Sequence, residues 1–240
     1  MFEKWLKYSY AAQKNKRHRL RRVVIWVSVF FIIYTAFSLL VFSMQILESN
    51  AMQPGLNAGE RFIFSSYKIY SLLPGAAPDK LPIRRGNIVL INRADDKQSS
   101  FFLLFADSAL RFFTIQRFGL ESGKKQVHVK RVIGLPGDEV SMVNFVIRVM
   151  PRGDNYSFTE SELWDRPYVP HIPSVPALWD ESFPFSGNMD KIILGEDEYF
   201  ALSDDRGNTN DSRTWGPVKV KQIDGKLLFR YWPLKRIGRP

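Results

Sequence analysis

Between Val23 and Phe42 the chain runs for 20 residues without a formal charge, reading VVIWVSVFFIIYTAFSLLVF. As a helix rising 1.5 Å per residue, this stretch would cover roughly 30 Å, the thickness of a bilayer's hydrocarbon core. A helix buried in a soluble core rarely stays apolar on every side for so long. A cleavable export signal has an apolar region of only about 7–15 residues and ends at a small-x-small site, and no such site closes this stretch. The expectation is an uncleaved transmembrane signal anchor over 23–44. Lys4, Lys7, Lys14, Lys16, Arg17, Arg19, Arg21 and Arg22 precede it, against the single acid Glu3. Positive flanks stay in the cytoplasm. Residues 1–22 are therefore expected inside and 45–240 across the membrane, giving a single-pass protein of the cell (inner, cytoplasmic) membrane.

That basic cluster supplies most of the net charge of +10. Membrane lipid is thus the expected partner of the charge, and nucleic acid is not. A contrasting class, a non-enzymatic, membrane-anchored interaction module, would rest on this cluster alone. A basic flank is, however, normal for an anchor of this orientation. The chain has no cysteine, which excludes disulfides, zinc–thiolate sites and a thiol nucleophile.

Beyond the anchor the pattern is β-rich. Arg61–Phe64 and Tyr199–Leu202 read as short strands, as does Leu227–Tyr231. Asn87–Asn92 is an apolar run that suggests a strand buried on both faces. Gln126–Ile133 runs into a turn signal, Gly134-Leu135-Pro136-Gly137, and Glu139–Val149 reads as a strand or hairpin. The fold class is mainly β: a barrel or sandwich-type domain preceded by one transmembrane helix. Ser100–Phe113 is strongly apolar but too short to span a bilayer. It reads either as a core helix or as an interfacial helix. A proline- and aromatic-rich stretch, about 151–190, reads as a mostly irregular insertion in one domain.

Peptide hydrolysis by nucleophilic catalysis needs a nucleophile, a base and donors for the oxyanion. His18, His128 and His171 form no evident Ser-His-Asp pattern. A lysine base is the alternative, and burial lowers a lysine's pKa by disfavouring its charged form. Lys130 is suited to this, with Val127, Val129, Val132 and Ile133 around it. His128, two residues earlier, shares its face on a strand. An arbitrary lysine on a strand is usually a solvated surface residue.

Three blocks shift that balance: Ser49-Asn50-Ala51-Met52-Gln53-Pro54, Val129 to Asp138 (VKRVIGLPGD) and Ser203 to Arg213 (SDDRGNTNDSR). Together they resemble the signature blocks of bacterial type I signal peptidases, membrane-bound proteases with a Ser/Lys dyad. The likeness extends from the anchor to Gly238. It implies the fold of that family and signal peptides of exported preproteins as partners, with neither cofactor nor metal. It implies Lys130 as general base and Thr209 as the hydroxyl that hydrogen-bonds and orients it. Asp211 and Arg213 match a charged pair that braces the site. At i, i+2 they would share one face of an extended segment. Arg131 and Asp138 read as structural. Leu47, Met52 and Val129 fall at substrate-binding positions, where small residues of the signal peptide would enter shallow apolar pockets.

The residue before Met-x-Pro is the family's nucleophilic serine, and here it is Ala51. A methyl group cannot attack a carbonyl, so weak or absent hydrolysis, a pseudoenzyme, is expected. Ser49 matches a position whose hydroxyl can line the oxyanion hole. It is also the alternative nucleophile for an active peptidase. Two residues of extended chain span roughly 6.5–7 Å, whereas attack needs about 3–3.5 Å. Use of Ser49 would therefore demand a remodelled backbone. Other departures from the family are Gly55 for threonine, Asn87 for aspartate, and Ser203 and Asp205 for glycine and asparagine around Asp204. They fit natural drift better than a single engineered exchange.

Overall fold

The computed structural model describes residues 10–40, 42–67, 82–93, 106, 110, 127–164, 168–174 and 187–240. The chain forms two compact units, and the second, Leu40–Asp96 with Lys124–Pro240, carries the β structure. Helix α1, Tyr10–Leu40, belongs mostly to the first. It is continuous through the basic flank and into the apolar stretch, where Trp26, Phe30 and Ile32 are exposed. Among the described residues no helix is long and apolar enough to cross a membrane. The apolar segment expected over Ser100–Phe113 lies outside the described residues, apart from Ala106 and Leu110.

The strands are β1 (Phe42–Ile46), β2 (Arg61–Ser66), β3 (Ile88–Asn92), β4 (Val127–Gly134), β5 (Glu139–Val143), β6 (Val146–Met150), β7 (Phe158–Thr159), β8 (Met189–Ile193), β9 (Glu198–Leu202), β10 (Val218–Lys219) and β11 (Ile223–Trp232). Among the described residues they make two antiparallel sheets. One has seven strands in the order β1-β2-β11-β3-β4-β9-β10, and the other has four, β7-β6-β5-β8. The mainly-β expectation holds. The larger sheet is open, ending at β1 and β10. Strand β3 sits centrally between β11 and β4 and is buried on both faces from Ile88 to Ile91, which is why its sequence is an unbroken apolar run.

The turn signal after β4 works as read. Gly137 adopts φ +84°, a left-handed conformation that glycine takes without a Cβ clash. The chain thereby leaves the large sheet and enters the small one. Ile133, Phe200 and Leu202 of the first sheet pack with Val140, Met142, Ile147 and Val149 of the second. In β11, a Cβ on Gly225 would lie 2.0 Å from the Ser65 carbonyl oxygen. Only glycine permits that approach of β11 to β2.

The 151–190 stretch is more structured than its prolines suggest. Strand β7 adds to the edge of the small sheet against β6. Helix α2, Glu160–Leu163, follows, with Glu162 closing a capping box on Thr159. His171 makes a parallel bridge with Asp205.

Candidate active site

Lys130 comes from the middle of β4, paired with Val89 of β3. Of the valines expected around it, only Val132 shares its face, in the cluster against which Trp215 packs. On a strand Val127 and Val129 face the other side of the sheet, where they pack with Leu47, Met52 and Leu56. Lys130 and His128 share the opposite face, as period two requires. There the indole of Trp215 covers both: its ring centroid is 4.9 Å from that of His128 and 5.8 Å from Lys130 Nζ. Lys130 is 2% exposed. Burial lowers its pKa to about 8, and Arg213 adds to the lowering. Asp211, Asp204 and Asp205 pull the other way without reversing it. The His128 imidazole is also held below its ordinary value, first by burial and then by the charges of Lys130 and Arg93.

The hydroxyl that receives Lys130 Nζ is that of Ser203, at 2.8 Å. Thr209, to which the family resemblance gives this role, instead supplies its carbonyl to Asp211 N–H and to Thr214 Oγ1. Antiparallel pairing explains the exchange. Arg131 stands opposite Leu202, so Lys130 and Ser203 lie one step further along the same two strands. Sequence reading marked Ser203 as a departure but gave it no function. The signal was a new hydroxyl at the end of β9, and only strand register connects it to Lys130.

Residues 203–213 are tightly held. Asp211 is the N-cap of α3, Ser212–Trp215, rather than part of an extended segment. This cap presents Trp215 to Lys130, and Trp215 Nε1 is fixed by Asn210 Oδ1 at 2.9 Å. Arg213 grips Asp211 with two side-chain hydrogen bonds, of 2.9 and 2.8 Å. It also donates to the carbonyls of Arg206 and Asn208. Asp211 accepts from Ser203 N–H. Burial alone would raise the Asp211 carboxyl, but its bonds to Arg213, that guanidinium's charge and the Ser203 amide outweigh it, and the pKa falls below the ordinary value. The pair is buried, at 4% and 0% exposure, so it is no surface ion pair.

Further along the loop, Arg131 holds Asp204 through two bonds of 2.7 and 2.5 Å. The insertion supplies three more fasteners. Glu160 pairs with fully buried Arg206. Tyr168 bonds to both of them and lies under the Arg131 guanidinium at 4.0 Å. His171 Nδ1 meets Asp205 Oδ1 at 3.0 Å, and its backbone bonds to Asp204 and Arg206. None of these three was legible as a site residue.

The same loop reaches the nucleophile position. Asp205 N–H donates to the Ala51 carbonyl at 3.0 Å. Ala51 begins a turn after β1 and is 3% exposed. Leu56 N–H bonds to the Met52 carbonyl, and Ala58 N–H to Asn50 Oδ1. Glu60, bound by Arg230 and Arg236, secures the return into β2. Leu47 and Met52 are buried here in one apolar cluster against Val129, so the three expected substrate-binding residues come together. Ser49 does not share the burial of Ala51: it is exposed in a bend, and Lys130 is buried. Among the described residues the Ala51 N–H and the Ser49 hydroxyl have no acceptor. Also among the described residues, no three metal-ligating side chains gather.

Chemically, the site holds a buried lysine amine that is about half neutral at pH 8, and a turn whose Ala51 N–H has no acceptor among the described residues. It lacks a hydroxyl at residue 51.

The sequence model of the signal peptidase family, peptidase S26, matches residues 20–232. A signal peptidase I of Bacillus caldolyticus is 29% identical over 225 residues, 94% of this chain and 97% of that protein. A probable signal peptidase I-2 of Synechocystis is 26% identical over 194 residues, 80% of this chain and 64% of the relative. A signal peptidase IB of Staphylococcus aureus is 30% identical over 125 residues, 48% of this chain and 62% of the relative. The crystal structure of a signal peptidase I from Enterococcus faecalis V583 aligns with a TM-score of 0.33 at 19% identity, over 62% of this chain and 98% of that one, a likeness too slight to bear on the fold. The family match begins within the basic flank and ends at the last residue of β11, and on that extent the chain belongs to the signal peptidase family, peptidase S26.

Proposed function

We propose that this chain is a membrane-anchored signal-peptide-binding member of its family in which hydrolysis is weak or absent. The observation that carries this reading is a buried lysine amine on β4, with its pKa lowered to about 8 and bonded to Ser203 of a braced loop, while the turn that loop joins offers only the methyl of Ala51. A general base is supported and its nucleophile is missing. Leu47, Met52 and Val129 form the apolar cluster that supports binding of small signal-peptide side chains. The anchor reading rests on the uncharged Val23–Phe42 stretch behind its basic flank, with the N-terminus cytoplasmic and the β domain extracytoplasmic.

The test is a cleavage assay in detergent micelles with a preprotein bearing a signal peptide. The unmodified chain is compared with Ala51→Ser. The expected outcome is no cleavage by the unmodified chain and cleavage by the serine form. Cleavage by the unmodified chain would overturn the reading and direct attention to Ser49.

A further inference from the structure

We propose that Glu160 and Tyr168, from the 151–190 insertion, are positioning residues for Lys130, acting through Arg206 and Ser203 to keep water from the amine. The inference rests on the reading of Lys130 as a base and deepens it.

Lys130 Nζ donates to Ser203 Oγ at 2.8 Å, and both side chains are buried, at 2% and 0% exposure. The Ser203 hydroxyl stays in place because its backbone is held at both ends. Its N–H donates to Asp211, and its carbonyl accepts from Arg206 Nη1 at 2.8 Å. The second hold is only as firm as Arg206 itself. That guanidinium is fully buried, and its Nε has no partner among the described residues. Its charge is met from the insertion: Nη2 donates to the two oxygens of Glu160, at 2.6 and 2.5 Å, and to Tyr168 Oη at 2.7 Å. The Tyr168 ring also lies 4.0 Å from Arg131 Cζ. Arg131 follows Lys130 on β4 and grips Asp204, which follows Ser203. Tyr168 thus touches an arginine on each of the two segments that meet at the Lys130–Ser203 bond.

A buried cation stripped of its carboxylate must find water or move to reach it. Removing the Glu160 charge should therefore loosen Arg206, and with it the Ser203 carbonyl, so that water reaches the amine. Hydration favours the charged form of a lysine. The charged and titratable groups facing the amine are His128 of β4, Asp211 and Arg213 at α3, and Asp204 and Asp205 of the loop. Loss of the Glu160 charge by itself would act in the opposite sense, since a nearby anion favours a protonated lysine. Direction therefore separates opening of the site from a simple change of charge.

The test is urea unfolding of the full chain in micelles, between about pH 7 and 11, for four proteins: unmodified, Lys130→Met, Glu160→Gln and the double variant. Subtracting the methionine form in each background cancels groups that titrate elsewhere. A lysine whose folded pKa is lowered adds stability as pH rises from its folded to its unfolded value, so the onset of that rise marks the folded amine. With Glu160 present the onset is expected near 8. In Glu160→Gln it should move up by about one pH unit, a tenfold change in the protonation equilibrium, and the rise should shrink to match. Tyr168→Phe keeps the ring and removes the hydroxyl. It should move the onset the same way by less, and it decides the matter if Glu160→Gln does not fold.

An onset unchanged in both variants, with stability lower at every pH, would overturn the inference and leave the two residues as fasteners. An onset that moves down would overturn it as well. Preprotein cleavage by Ala51→Ser, with and without Glu160→Gln, is read alongside. If neither form cleaves while the onset moves up, the functional reading fails and the positioning role stands. If Ala51→Ser cleaves and the onset stays where it was, the functional reading stands and the positioning role fails.

Discussion

Two buried cations, Lys130 and Arg206, both bond to Ser203, and the fold treats them in opposite ways. Arg206 is fully buried, yet Glu160, Tyr168 and the Ser203 carbonyl surround it with acceptors. Burial acts to lower its pKa, but Glu160 and the neighbouring anionic groups overcome that, and the shift is upward. Lys130 is as deeply placed and receives one neutral hydroxyl. Its acids, Asp211 and Asp204, are committed to Arg213 and Arg131, so burial prevails and the amine is driven down to about 8. A cation used for structure is given a carboxylate. A cation suited to chemistry is denied one, and the carboxylates near it are occupied by arginines. Burial is the main cause of the lysine's lowered pKa, and the Arg213 charge adds to it.

The largest expected effect is at the structural cation. Arg206→Met would leave Glu160 and Tyr168 without their partner, and breaking a buried pair from one side costs about 3–5 kcal/mol. Urea unfolding should register this loss, and a change near zero would mean Arg206 is not the fastener described.

The chemical cation should respond with the opposite sign. Lys130→Met, similar in length and uncharged, should stabilise the fold at pH 7 by about 1–3 kcal/mol. The pH dependence sharpens the point. The ordinary value is 10.5 and the folded value about 8. Below pH 8 both the folded and unfolded chains hold the proton, and the penalty for burying the charge is present in full. Between about 8 and 10.5 the unfolded chain holds more protons than the folded one, so stability rises with pH. The rise should total about 3 kcal/mol and be absent in Lys130→Met. An identical pH profile in the two proteins would remove the contrast between the cations.

The smallest effect is expected where the insertion meets solvent. His171 is 63% exposed at its side chain in the pair with Asp205. His171→Ala should cost under about 0.5 kcal/mol, as solvent-exposed pairs do. A larger loss would show that the strap contributes more than its backbone bonds.

Much of this was legible in advance. The strands near 61–64, 87–92, 126–133 and 199–202, with the hairpin over 139–149, lie where apolar runs and turn residues put them. The missed strands, β1, β7, β8 and β10, have local reasons, and β7 is only two residues long, within the proline-rich stretch. Phe42–Ile46 begins inside the end of the apolar stretch and cannot be told from it by hydrophobicity. Met189–Ile193 and Val218–Lys219 are short edge strands, with Asp190 and Lys191 exposed in the first. At the site, block spacing singled out Lys130, Asp211 and Arg213, and the structure buries the first and pairs the other two. Thr209 was given the lysine's hydrogen bond and does not make it, because the block records which residues occur and not which strand faces which.

The sequence alone determined the chain's family, the uncharged stretch behind a basic flank, the block that carries Lys130 and the alanine at residue 51. These are properties of residue type, charge and short-range spacing. The tertiary structure decided which hydroxyl meets the amine, which carboxylates are withheld from it and that the insertion fastens the signature loop. Those outcomes depend on the register of β4 against β9 and on contacts between residues up to 73 positions apart. Local sequence carries no measure of either, because a one-residue slip in strand pairing leaves composition and spacing unchanged while turning every side chain to the other face.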